Sequence, residues 1–404
     1  MESKEKMKIF KEGELNLLWP FYLEKFLSHL LFFLPAFWII SFYSSITLTQ
    51  IGIIFSISSA ISFLFEIPTG AFADIYGRKA STLVGYFFSG LAMLSIFFFK
   101  SFMGILMFMS IWSIAGTFIS GAKESWVIDN IKQKKKDHLI KSFFLKQQFV
   151  MGLSLLLSGI LGTFVVKYLG IEIAWIFASA SFLLTFVILL FIPEANTIKK
   201  RRVTFERLFS QSKKSIKYAL KHSILFFMLF ATFFILLRES FGGDINEQVF
   251  LKLLGLPIPY LGLFFSGIAL LMLLAPIMAS LILKKFSSKK SILSLLLIFS
   301  IILDIGILFV NTLPMAILLI SLIVFLVFLF HPIEQVYMQE QIPSKMRATI
   351  TSFQGMLISL GYVVGAPFAG FFGDLIGPQK TIVLGAVFLV PALILYLKIK
   401  DKKN

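Results

Sequence analysis

Twelve apolar runs, each about long enough to cross a bilayer, restrict this chain more than anything else in its sequence. They cover approximately residues 17–41, 49–72, 81–99, 102–123, 145–166 and 172–192, then 223–243, 259–283, 291–310, 314–334, 351–372 and 380–397. A hydrocarbon layer of about 30 Å needs roughly 20 residues of helix. Lipid offers bare backbone no hydrogen-bond partner, so such runs are expected to be helical. The fold class that follows is an all-α integral membrane protein with twelve transmembrane helices. Composition agrees: 58% of the residues are hydrophobic and 15% charged, against about a quarter charged in a soluble domain.

Charge placement gives the orientation. The net charge of +17 sits in short basic clusters between the apolar runs, a pattern that sets membrane topology and does not call for nucleic acid. Thirty Lys and Arg fall on the side of the chain ends, and only Lys100, Lys167, Lys252 and Lys380 on the other. Positive charge stays inside, so both termini are expected in the cytoplasm and the chain in the plasma membrane. The basic side would face anionic headgroups.

The polar stretch 194–222 divides the chain into bundles of six helices, 1–193 and 223–404. It holds Lys199, Lys200, Arg201, Arg202, Arg207, Lys213, Lys214, Lys217 and Lys221. It reads as a solvated basic linker, with residues 205–209 able to form a short amphipathic helix on the headgroups. The halves resemble each other: a shift of 207–210 residues lays Gly170 on Gly377 and Glu124 on Glu334. The fifth helix of each is rich in glycine (Gly152, Gly159, Gly162; Gly361, Gly365, Gly370). Internal repeats with the solute site between them are a transporter pattern.

Several chemistries are disfavoured. There is no cysteine, and His29, His138, His222 and His331 are scattered, so neither a metal site nor a cofactor is expected. No phosphate-binding Gly-x-x-x-x-Gly-Lys-Ser/Thr loop supports a primary pump, and no His-Glu-x-x-His or nucleophile triad supports an enzyme. The first apolar run is too long for a signal peptide and reads as a retained helix.

Between the second and third runs stands Gly70-Ala-Phe-Ala-Asp74-Ile-Tyr-Gly77-Arg78-Lys79, after Glu66-Ile-Pro68-Thr69. This resembles the signature loop of the major facilitator superfamily, with the Glu-x-Pro-x-Gly lead-in of many bacterial and archaeal members. The stretch Ile342-Pro343-Ser344-Lys345-Met346-Arg347-Ala348-Thr349 is similar to the family's loop between helices 10 and 11. The resemblance spans the chain and implies two six-helix bundles related by a pseudo-two-fold axis. It also implies that Asp74 latches the N-terminus of helix 11, near Arg347, when the transporter faces outward. Arg78 would then be held by an acid at the end of helix 4, Glu124 or Asp129. Physically, Gly77 permits a tight turn, and Gly70 permits close helix approach. Asp74 at its own helix C-terminus needs a compensating partner. The family often has a basic residue where Ile75 stands, and drug/proton exporters usually carry a Gly-Pro pattern in helix 5 that is lacking here.

Ionisable residues inside membrane helices are functional candidates, because each costs at least a few kcal/mol. Glu24, Lys25 and His29 lie in the first run. Glu66 lies at a similar depth in the second, so Lys25–Glu66 is a candidate pair, and Glu24 or Glu66 a candidate proton-coupling carboxylate. Arg238 and Glu239 lie in the seventh run. Arg238 could hold an anionic solute or be neutralised by Asp304. His331 and Glu334 could relay protons or simply hydrogen-bond a neighbour, and Trp112 could stack on solute. The function expected is secondary active transport of a small solute by a monomer, proton-coupled and in the export direction. The alternatives are an uptake symporter for a nutrient or organic anion, and a non-transporting receptor on the same fold.

Overall fold

A computed structural model describes residues 10–11, 13–194, 216–343 and 346–399. Among these described residues, twelve helices are long and apolar enough to cross a membrane. They are α1 Glu14–Ala36, α2 Leu48–Tyr76, α3 Arg78–Phe98, α4 Phe102–Gln133, α5 Leu139–Leu169, α6 Ile173–Leu190, α7 Ser223–Leu253, α8 Ile258–Lys285, α9 Lys289–Phe309, α10 Leu313–Gln341, α11 Thr349–Ile376 and α12 Pro378–Lys398. Each overlaps one of the expected runs. The even number returns the chain to the face it started from, called the terminal face below. The lysines and arginines of residues 199–214, the amphipathic stretch 205–209, Ser344 and Lys345 lie outside the described residues.

Local chemistry explains the boundaries. Thr47 caps α2 in a reciprocal box with Gln50: its hydroxyl accepts from Gln50 N, and its own N–H donates to the Gln50 side chain. Between α2 and α3, Gly77 adopts φ 104°, ψ 149°, and between α11 and α12, Gly377 adopts φ 85°, ψ 156°. Only glycine enters this region freely. The two turns are near copies, although they lie on opposite faces of the molecule.

The packing of apolar side chains defines the shape. One buried cluster joins both halves on the face away from the termini. It includes Phe33, Phe37, Ile51 and Trp175 from the first half with Phe241, Ile245, Leu261 and Ala366 from the second. On the terminal side there are two separate clusters. One is built around Phe21, Trp126 and Phe143 of the first half, the other around Leu225, Met338 and Tyr396 of the second. The halves are thus welded at one end and hold separate cores at the other. Across the weld, α2 packs on α11 and α5 on α8. Glycines let these backbones meet: a Cβ on Gly159 would strike the carbonyl of Gly262, and one on Gly262 would strike that of Gly159. Small residues serve this purpose in membranes, where packing replaces the hydrophobic effect.

Candidate functional site: a cleft between two bundles

The seam between α2 and α11 fixes the state of the molecule. On the far face the Asp374 carboxylate, at the end of α11, receives Leu48 N (3.1 Å), Thr49 N (2.8 Å) and Thr49 Oγ1 (2.6 Å). A helix N-terminus leaves its first N–H groups without intrahelical partners and favours negative charge. Here Asp374 takes the first two, and Thr47 takes those of Gln50 and Ile51. Further along the seam, the Ser56 hydroxyl donates to the Val363 carbonyl at 2.6 Å. Gln248 Nε2 donates to Pro35 O and Ser266 Oγ to Leu156 O, also between the halves. All belong to the far half of the molecule or its middle. On the terminal face Asp74 and Arg347 are both exposed. Among the described residues no hydrogen bond or ion pair joins Asp74 to α11, and the bonds between the halves close the far face in this state. The close approach expected at Gly70 is likewise absent, since a Cβ there would meet nothing within 4 Å. The close approaches of α2 to α11 lie instead at Gly52 and Gly370.

The signature loop is held from behind. Arg78 Nη1 forms an ion pair with Asp129 and donates to Ser125 O at 3.0 Å. Of the two acids proposed for Arg78, the partner is Asp129, and Glu124 is exposed. Glu194 accepts from the backbone of Arg78 (2.6 Å) and Lys79 (3.1 Å), capping α3. Lys79 Nζ donates to Leu190 O. Sequence inspection missed Glu194, which lies 116 residues from the helix it caps.

Inside the first half, Glu24 is fully buried. It receives Lys123 Nζ at 3.0 Å and Tyr86 Oη at 2.6 Å. The expected Lys25–Glu66 pair does not form. Lys25 lies within electrostatic reach of Glu24 and Glu124, and among the described residues the Glu66 carboxylate accepts from Ser120 Oγ at 3.1 Å. Depth along a helix does not fix direction: successive residues on a helix point about 100° apart, so two side chains at similar heights on neighbouring helices need not face each other. A cavity of about 520 Å³ opens among α1, α2, α3, α4 and α6, lined by His29, Phe32, Glu66, Tyr86, Trp112 and serine hydroxyls among others. Trp112 lies 6.3 Å from the Phe32 ring and 6.4 Å from that of Trp38. Trp38 also lines two cavities of about 280 and 230 Å³ toward the second half.

In the second half, Arg238 makes a two-pronged ion pair with Asp304, with Nε–Oδ2 at 2.9 Å; both are almost completely buried. Arg238 is thus neutralised by Asp304. Its neighbour Glu239 meets His331 Nε2 at 3.2 Å, and His331 Nδ1 lies 3.8 Å from Glu334. Glu334, itself buried, accepts from Tyr396 Oη (2.9 Å) and Thr232 Oγ1 (3.2 Å). A chain of ionisable groups therefore runs from α9 through α7 and α10 to α12. Among the described residues no group of three or more His, Asp or Glu side chains is arranged to hold a metal ion.

A six-plus-six helix bundle, clamped at one end of a central cleft and carrying this loop, belongs to a class of membrane transporters. The chain is a member of the major facilitator superfamily, whose family model matches residues 22–357 and 237–404. It is 24% identical to the uncharacterized MFS-type transporter YxaM of Bacillus subtilis (strain 168) over 363 residues, 87% of this chain and 88% of that one. Its fold is similar to that of the nucleoside transporter NupG, with a TM-score of 0.78 and 15% identity over 95% of this chain and 100% of that chain. It also resembles a bacterial homologue of the iron transporter ferroportin in an inward-facing state, with a TM-score of 0.76 and 12% identity over 95% and 98%.

Proposed function

We propose that this transporter moves a small solute by alternating access, coupled to protons and in the export direction, with 1–193 and 223–404 as rocking bundles and 194–222 as a cytoplasmic linker. The carrying observation is the asymmetry of the seam: one shared core and the Asp374 clamp at the far end, two separate cores and an unlatched Asp74 at the other. With the basic terminal face in the cytoplasm of a plasma-membrane protein, this state loads solute from inside. Transport then exchanges one acidic latch for the other: Asp374 leaves the N-terminus of α2 as Asp74 takes the N-terminus of α11. The monomer contains every group this exchange needs.

Coupling is assigned to Glu239, His331 and Glu334, because an imidazole bridging two carboxylates can pass a proton between helices α7 and α10. Uptake of an organic anion on Arg238 is the weaker reading, since Asp304 already neutralises the guanidinium through Nε and Nη2. Proteoliposomes loaded with a panel of solutes and given an imposed pH gradient test the proposal. Solute movement that follows the gradient supports it; solute binding with no flux at any gradient favours a receptor instead.

A further inference from the structure

The cavity in the first half has an uncompensated charge. Of the carboxylates around it, Glu24 is closed by Lys123 and Tyr86, and Glu124 lies within reach of Lys25. Glu66 projects into the cavity with one neutral hydroxyl as its hydrogen-bond partner. Among the described residues it has no ion pair. Glu66 is exposed to the open cleft, and a solute that displaces the cleft's water removes the hydration of its carboxylate, a loss that a positive charge on the solute offsets best. Around it stand Phe32, Trp112 and Phe182, with Phe32 and Phe182 5.2 Å apart; aromatic faces attract cations as well as flat rings. The cavity also leaves a polar group waiting. Ser89 Oγ, on the lining, is completely buried and has no hydrogen-bond partner, although buried hydroxyls are normally paired. His29 is oriented by Nδ1, which lies 3.0 Å from Lys25 O and 2.9 Å from Ser28 Oγ.

We propose that this cavity binds an aromatic organic monocation, with Glu66 as its counter-charge and the Phe32–Trp112–Phe182 cluster as its ring platform. The proposal rests on the cavity being the solute site of the transport reading above. A neutral solute would leave the Glu66 charge unanswered, and an anion would be repelled by it. Ser89 then supplies a hydrogen bond to a polar substituent, which sets it apart from a purely greasy pocket.

Equilibrium dialysis of the purified, detergent-solubilised full chain against labelled tetraphenylphosphonium tests this, with benzoate as the aromatic anion for comparison. Saturable binding of the cation is expected, weakened about tenfold or more by Glu66→Gln and by Trp112→Ala. Glu66→Asp should retain most of it. Unchanged elution and melting of each variant would show that the fold is intact. Cation binding that is indifferent to Glu66→Gln, or benzoate bound more tightly than the cation, overturns the assignment. The same probes in vesicles separate the two levels. Glu66-dependent binding without flux of the cation or of any panel solute sinks transport and leaves the site standing. Carrier-mediated flux of benzoate with no cation binding sinks the site and leaves transport standing.

Discussion

Asp374 closes the far face by receiving both the backbone N–H and the hydroxyl of Thr49, so a single carboxylate caps a helix of the opposite half. Removing it takes three charge-assisted hydrogen bonds from the clamp. Because Asp374 is exposed, the loss falls at the low end of such contributions, about 1 kcal/mol. Asp374→Ala should therefore raise the far-face-open population roughly fivefold, read as faster maleimide labelling of a cysteine placed at Ser59. Unchanged labelling would remove the clamp from the mechanism. The chain has no native cysteine, so Thr49→Cys with Asp374→Cys should also cross-link on oxidation, halting flux until reductant is added.

Arg238 and Asp304 make a second test, because a buried pair costs most when only half of it is removed. Arg238→Met should destabilise the protein by about 3–5 kcal/mol by stranding the Asp304 charge. Arg238→Met with Asp304→Leu should recover much of that loss. Thermal unfolding in detergent measures both; a double variant no better than the single would mean that the pair has a role beyond mutual neutralisation.

Gly77 is expected to tolerate no side chain. At its φ of 104° an added Cβ would sit 2.9 Å from Glu194 Oε2, straining the turn and displacing the carboxylate that caps α3. Gly77→Ala should cost about 1–3 kcal/mol, and Glu194→Gln about 1 kcal/mol. If the melting temperature of Gly77→Ala matches that of the parent protein, the turn is not under the constraint described.

His331→Asn and Glu239→Gln should each flatten the dependence of flux on an imposed pH gradient while leaving solute binding within about threefold of the parent. The two variants should not compound, since they interrupt the same contact. A steep pH profile surviving in both would move coupling elsewhere, with Glu24 or Glu66 next in line.

The twelve helices were legible because lipid leaves a run of some 20 apolar residues no alternative to helix. The signature loop was legible because its glycines and charges have fixed spacing, and Asp129 was one of two acids in reach of Arg78. The Glu24–Lys123 pair was not, because Lys123 falls beyond a break at Ser120–Gly121 and comes back beneath α1 only once α4 resumes at Ala122. Asp374 was missed although a signal was present. Gly370, Asp374 and Gly377 repeat the spacing of Gly70, Asp74 and Gly77 without the basic pair that draws the eye. Glu66 does not meet the partner expected for it, since sequence position reports height along a helix far better than the bearing of a side chain.

In the proposed rocking of the two bundles, the touching backbones of Gly159 and Gly262 would serve as an off-centre fulcrum. On α5 the contact lies 20 residues from Leu139 and 10 from Leu169, or about 30 Å and 15 Å of helix. Any rocking about that point swings the terminal rim roughly twice as far as the far rim. A small parting where Asp374 lets go thus becomes a wide stroke at the mouth, and bulky cargo would pass more easily through the terminal side than through the opposite one.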